Sequence, residues 1–123
     1  MIRKRLEKRS EIPTDTGREV TVYTLTGSLG GAPQSCELQD EVRDQITDGA
    51  RRIVLNLEGV TKIDSAGVGI LVSLMRSGSQ AGANLVFAAL PAAVETMLGI
   101  AVLLDRIDHA DSRATAIAMV DRA

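Results

Sequence analysis

Residues 55–69 read Leu55-Asn56-Leu57-Glu58-Gly59-Val60-Thr61-Lys62-Ile63-Asp64-Ser65-Ala66-Gly67-Val68-Gly69. An apolar run leads into an Asp-Ser pair, and small residues then open a helix. Just upstream, residues 52–57 carry Ile53, Val54, Leu55 and Leu57 with little alternation, which predicts a strand buried on both faces. Downstream, Val68, Leu71, Val72 and Met75 fall at i, i+3, i+4 and i+7, and Ile70 and Leu74 widen the stripe. A deeply packed helix over residues 66–80 follows, with that stripe read as core. Between strand and helix, the Ser65 hydroxyl is presented at the positive end of a helix dipole, where an added phosphate is tolerated.

The rest of the chain repeats the same strand–helix alternation. Residues 19–26 alternate with period two and are rich in β-branched side chains, so they predict a strand. Residues 27–31 read as a glycine-rich turn. Pro33 suits the first turn of a helix that turns Leu38, Val42 and Ile46 to one side and stops at Gly49. Residues 84–89 form another apolar strand, and Pro91 opens a short helix ending near Gly99. A weak last strand is expected at 106–109. Ser112 then caps a final helix with Ala114, Ile117 and Ala118 turned inward. Repeated strand–helix units imply a mainly parallel sheet with right-handed crossovers, hence an α/β sandwich whose first strand is open to an antiparallel placement. Functional groups in such sheets gather beyond the carboxyl ends of strands. If the 19–26 and 52–57 strands are neighbours, the turns at Gly27 and at Asp64 share one surface.

Bulk properties narrow the function. The 123 residues fit one domain with a real core, 45% hydrophobic and 24% charged. A net charge of -2 gives no general pull toward nucleic acid or anionic membrane. One Tyr, one Phe and no Trp offer no platform for stacking bases. Cys36 stands alone, which excludes an intrachain disulfide and points to a reducing, cytoplasmic setting. No run approaches the roughly 18–20 apolar residues of a membrane span. The basic start (Arg3, Lys4, Arg5, Lys8, Arg9) has no apolar stretch of the kind a secretory signal carries, and reads as a solvated first strand or frayed terminus.

Several chemistries fit poorly. The hydrolase elbow needs Gly two positions before its serine, and Ile63 stands there; the single histidine, His109, lies far along the chain. Gly67-Val68-Gly69 lacks the Lys-Ser/Thr pair of a P-loop, and Gly27-Ser28-Leu29-Gly30-Gly31 does not match the dinucleotide fingerprint. A phosphoaspartate receiver would need further carboxylates beside Asp64 to hold Mg²⁺, and residues 24–30 contain no acid. Ser65 can also serve simply as a helix N-cap, a role compatible with phosphate acceptance because a phosphoserine keeps its helix-dipole partner. These exclusions favour a protein-binding switch over an enzyme, with no cofactor and no metal.

The run at Asp64 to Gly69 resembles the signature of the STAS family (sulfate transporter and anti-sigma factor antagonist domain), and in particular its small bacterial anti-sigma factor antagonists. The likeness spans residues 20–120: Gly27-Ser28-Leu29 after a strand, Arg52-Ile53-Val54-Leu55-Asn56-Leu57 before Gly59-Val60, the Asp-Ser-x-Gly-x-Gly core, residues 82–89, and Pro91-Ala92-Ala93-Val94. The resemblance implies a STAS-type sandwich, a mostly parallel four- or five-stranded sheet with about four helices. Residues 1–123 are then a single domain, with 1–17 a basic segment or first edge strand. It also implies Ser65 as the phosphoacceptor, with Asp64, Ser65, Ala66, Gly67, Val68 and Gly27, Ser28, Leu29, Gly30 as the partner-binding surface. The implied partner is a GHKL-type serine kinase that doubles as the anti-sigma factor, bound while Ser65 is unphosphorylated, and a phosphatase resets the switch. The same fold also serves as a non-switching adaptor in stress-signalling or lipid-transporter complexes. One departure stands out: many antagonists carry an Asp directly after Gly-x-Leu, and here Gly30 occupies that place.

Overall fold

The computed structural model describes residues 7–13, 18–30, 33–100 and 108–122. In chain order the elements are β1 (Glu7–Pro13), β2 (Glu19–Leu29), α1 (Pro33–Thr47), β3 (Arg52–Ile63), α2 (Ser65–Gln80), β4 (Asn84–Ala88), α3 (Ala92–Ile100), β5 (His109–Ala110) and α4 (Arg113–Arg122). The strands form one sheet in the order β1-β2-β3-β4-β5. β1 lies antiparallel to β2, and every other pair is parallel. The α/β sandwich anticipated from the strand–helix alternation is therefore present, with β1 as its antiparallel edge.

β3 shows why its apolar run does not alternate. Ile53, Leu55 and Leu57 point into a core shared with α1, α2 and α3, while Val54 points to the other face and meets α4. In the larger core Leu38, Val42 and Ile46 of α1 pack with Leu71 and Leu74 of α2 and with Phe87 of β4. Each such side chain, taken fully out of water, contributes about 1.5–3 kcal/mol. α1 ends where Gly49 adopts φ 108, and the amides of Gly49 and Ala50 return to the carbonyls of Ile46 and Gln45 at 3.1 and 2.9 Å. That paired closure satisfies carbonyls that the last turn would otherwise leave open.

Four expectations need correction. Residues 27–29 are strand rather than turn: β2 continues to Leu29, paired with β3 as far as Ile63, and two register shifts flank Thr26 and Gly27. Gly27 supplies the φ of 91 that this irregularity requires. Gly31 lies outside the described residues. β3 itself runs past Leu57 to Ile63 for the same reason, since the two strands extend one another. The last strand is His109–Ala110, not 106–109, of which 106 and 107 lie outside the described residues. α4 buries Ala116 and Val120, whereas Ala114 and Ala118 are exposed and Ile117 is half-buried. Ser112 does cap α4, accepting from the Thr115 amide at 3.1 Å.

α2 sits unusually close to β2. A Cβ built on Gly67 would collide with the Leu29 carbonyl oxygen and lie 2.9 Å from Cγ1 of Ile63. The helix seats only because that position has no side chain. On the adjoining edge strand Arg9, the cross-strand partner of Tyr23, bonds Glu41 of α1 at 2.8 Å and Glu11 at 3.3 Å. Beneath it Tyr23 is fully buried, and its hydroxyl has no partner at hydrogen-bonding geometry. Burial raises its ionisation above the ordinary tyrosine value near 10, against the lowering effect of the Arg9 guanidinium.

Two outcomes are expected. Gly67→Ala should lower stability in urea by roughly 2 kcal/mol or more, because backbone must move to admit the methyl group. Tyr23 keeps its proton longer folded than unfolded, so its contribution is whole below pH 10 and is lost as pH rises beyond it. Tyr23→Phe, which also removes an unpartnered buried hydroxyl, should be at least as stable as wild type at pH 7 and lose less stability above pH 10. Urea midpoints across that range provide the check.

Candidate functional site

Beyond Leu25 and Asn56, β2 and β3 pair only with each other among the described residues, forming a two-stranded ribbon at the carboxyl end of the sheet. Its register sets Gly27 beside Val60, Ser28 beside Lys62 and Leu29 beside Ile63. The parallel pairing places the end of β2 and the start of α2 side by side, so the two segments share one surface. The Asp64 amide donates to the Leu29 carbonyl at 3.3 Å and joins them directly.

Asp64, not Ser65, is the N-cap of α2. Its backbone is extended (φ -117, ψ -176), and its Oδ1 accepts from the Gly67 amide at 2.9 Å. The Asp64 carbonyl then accepts from Val68 at 3.0 Å and begins the helical ladder. A capping carboxylate contributes about 1 kcal/mol and is further favoured by the helix dipole. Ser65 becomes the first helical residue, and its side chain is free of the capping role that its residue type suggested. It is exposed, as are Asp64 and Ala66 on either side.

The other residues expected to meet a partner divide by burial. Ser28 is exposed, and Gly27 and Gly30 are half-buried. Leu29 and Val68 are 1% and 8% accessible and Gly67 is buried, so these three shape the surface from beneath. Gly30 lies directly under Asp64: a Cβ there would be 2.7 Å from Oδ2. Lys62 and Thr61 on the ribbon and Gly69 on α2 are also exposed, and none of the three was assigned to the partner surface from the sequence. Only the ribbon's register could have marked Lys62, whereas the spacing of Gly69, four residues after Ser65, was legible as a shared helix face.

The described residues hold no group of three or more His, Cys, Asp or Glu side chains arranged for a metal. His109 is exposed on β5, across β4 from the strand that leads to Ser65. No helix among the described residues is long and apolar enough to cross a membrane.

The structure is similar to that of a Thermotoga maritima protein assigned as an anti-sigma factor antagonist (TM-score 0.78, 23% identity, 93% of this chain and 95% of that one). It is similar as well to the anti-sigma factor antagonist SpoIIAA in its unphosphorylated form (TM-score 0.67, 20% identity, 94% and 96%). A third likeness is to the murine solute carrier 26 member A9 anion transporter, where 98% of this chain matches 23% of the other at TM-score 0.75 and 16% identity. No curated protein matches the sequence. The family model for the STAS domain matches residues 11–116, which include the ribbon, the Asp64 cap and Ser65. This chain belongs to the STAS domain family.

Proposed function

We propose that the chain is an anti-sigma factor antagonist switched by phosphorylation of Ser65. With Ser65 unmodified, the surface formed by Ser28, Gly30, Asp64, Ser65 and Ala66 sequesters an anti-sigma serine kinase of the GHKL type and frees a sigma factor for transcription. The kinase supplies Mg-ATP and the transfer chemistry, and Ser65 contributes only its hydroxyl. A phosphatase returns the protein to the binding state.

The observation that carries this reading is the exposed Ser65 side chain, the first residue of α2, released from capping by Asp64 and standing on a surface built jointly with the end of β2. A phosphate there adds about -1.5 to -2 charges at neutral pH. Beside Asp64 in a contact surface, that charge brings repulsion and a desolvation cost, which dissociates a partner that tolerates the hydroxyl. The likeness to anti-sigma factor antagonists supports the assignment of partner class.

A second reading, a non-switching adaptor in a stress-signalling or lipid-transporter complex, draws on Gly30, which leaves the site without the acid many antagonists carry, and on the likeness to part of an anion transporter. Incubation with Mg-ATP and a lysate of the source organism, followed by intact-mass and fragment spectra, separates the two. A single phosphate on Ser65, absent from Ser65→Ala, is the expected result. No modification in a lysate with demonstrably active kinases overturns the switch in favour of the adaptor.

A further inference from the structure

Gly30 and Asp64 are in closer relation than their separation in sequence suggests. A Cβ built on Gly30 would lie 2.7 Å from Oδ2 of Asp64, 3.1 Å from its Cγ and 3.2 Å from Oδ1. The carboxylate therefore occupies the space that a Cβ at position 30 would take, and from there Oδ1 accepts from the Gly67 amide at 2.9 Å. A side chain at position 30 would require the carboxylate to shift from this position. The amide it holds belongs to the first turn of α2, where the N–H groups have no helical partners.

Ser65 is the next residue, so a phosphate on it would compete for the same amides. The phosphate brings more charge and three acceptor oxygens, and hydrogen bonds to it are charge-assisted. Two anions on adjacent residues also repel, and Asp64 is exposed, so solvent is available to a displaced carboxylate. We infer that Gly30 and Asp64 act as a positioning pair: the missing side chain at 30 leaves room for Asp64 as the cap that holds Ser65 at the helix start, and phosphate on Ser65 takes over that cap. The displaced carboxylate then stands on the partner-facing surface with the phosphate. Modification thus changes two groups there. The inference rests on the phosphoswitch reading and goes beyond it by naming what moves.

The test uses the full chain with phosphoserine installed at position 65 during translation, so it needs no kinase. Asp64→Ala is introduced into the unmodified and the phosphorylated protein, and both pairs are unfolded in urea. In the unmodified protein the substitution should reduce the folding constant about fivefold, the usual effect of losing such a cap. In the phosphorylated protein the reduction should be less than about twofold, giving a clear coupling between the two positions. Equal losses in both forms, or no loss in the unmodified form, overturn the inference. Gly30→Ala should accelerate hydrogen exchange at the Gly67 amide in the unmodified protein alone; unchanged exchange there removes Gly30 from the pair and overturns it too. Failure of lysate kinases to modify Ser65 would sink the switch itself, yet it would leave this coupling measurable.

Discussion

The site depends on how closely the first turn of α2 approaches the end of β2. The Asp64 amide bonds the Leu29 carbonyl, and three residues later Gly67 passes over that same carbonyl with no room for a methyl group. This contact orients the helix axis, fixes which residue caps it and determines where Ser65 emerges. It also explains why β2 and β3 extend as a ribbon beyond their other neighbours. The ribbon carries Leu29 far enough to meet the helix, and Gly27 provides the irregularity that lets the two strands stay in register on the way.

Around that contact the chain separates framework from contact surface. Leu29, Gly67 and Val68 are buried and support the turn, while Ser28, Asp64, Ser65 and Ala66 are exposed on it. These four residues are small or anionic, with the cation Lys62 beside Ser28 on the ribbon and no large apolar group among them. Such a surface gains little from non-specific hydrophobic burial. Under the proposed function, the affinity of this surface for a partner would rest on shape and hydrogen bonds, both of which a single dianion can spoil.

Much of this was legible in the sequence because burial leaves strong patterns. The unalternating run at Ile53, Val54 and Leu55 announced a strand covered on both sides, and Leu38, Val42 and Ile46 marked the inner face of α1 with Gly49 as its stop. The failures also have physical causes. Gly27-Ser28-Leu29 has the composition of a turn, and its strand partner lies some thirty residues further on, so only the pairing with residues 60–63 reveals it. Asp64 and Ser65 are both good caps by residue type; the tertiary bond from the Asp64 amide to Leu29 holds Asp64 extended and settles the choice. In α4, Ala114, Ala116 and Ala118 give almost no periodic contrast, and the docking of Val120 selects the face. Gly30 was recognisable as a missing acid, but only geometry shows the Asp64 carboxylate in the space a side chain there would take.

The two faces of the sheet are covered unequally, and that has a consequence for how the molecule fails. Among the described residues three helices shield one face, whereas Val20, Val22, Val54, Val86 and Ala88 on the other are covered by α4 with help from Ile12. A helix of ten residues has little stability of its own in water, so α4 persists only while docked. Its release is a sub-global opening that leaves the rest of the sheet paired. What it uncovers is a flat strip of β-branched side chains on adjacent strands, the kind of surface that recruits other chains. The integrity of that face therefore hangs on the docking of α4, on the opposite side of the sheet from the helix that carries Ser65.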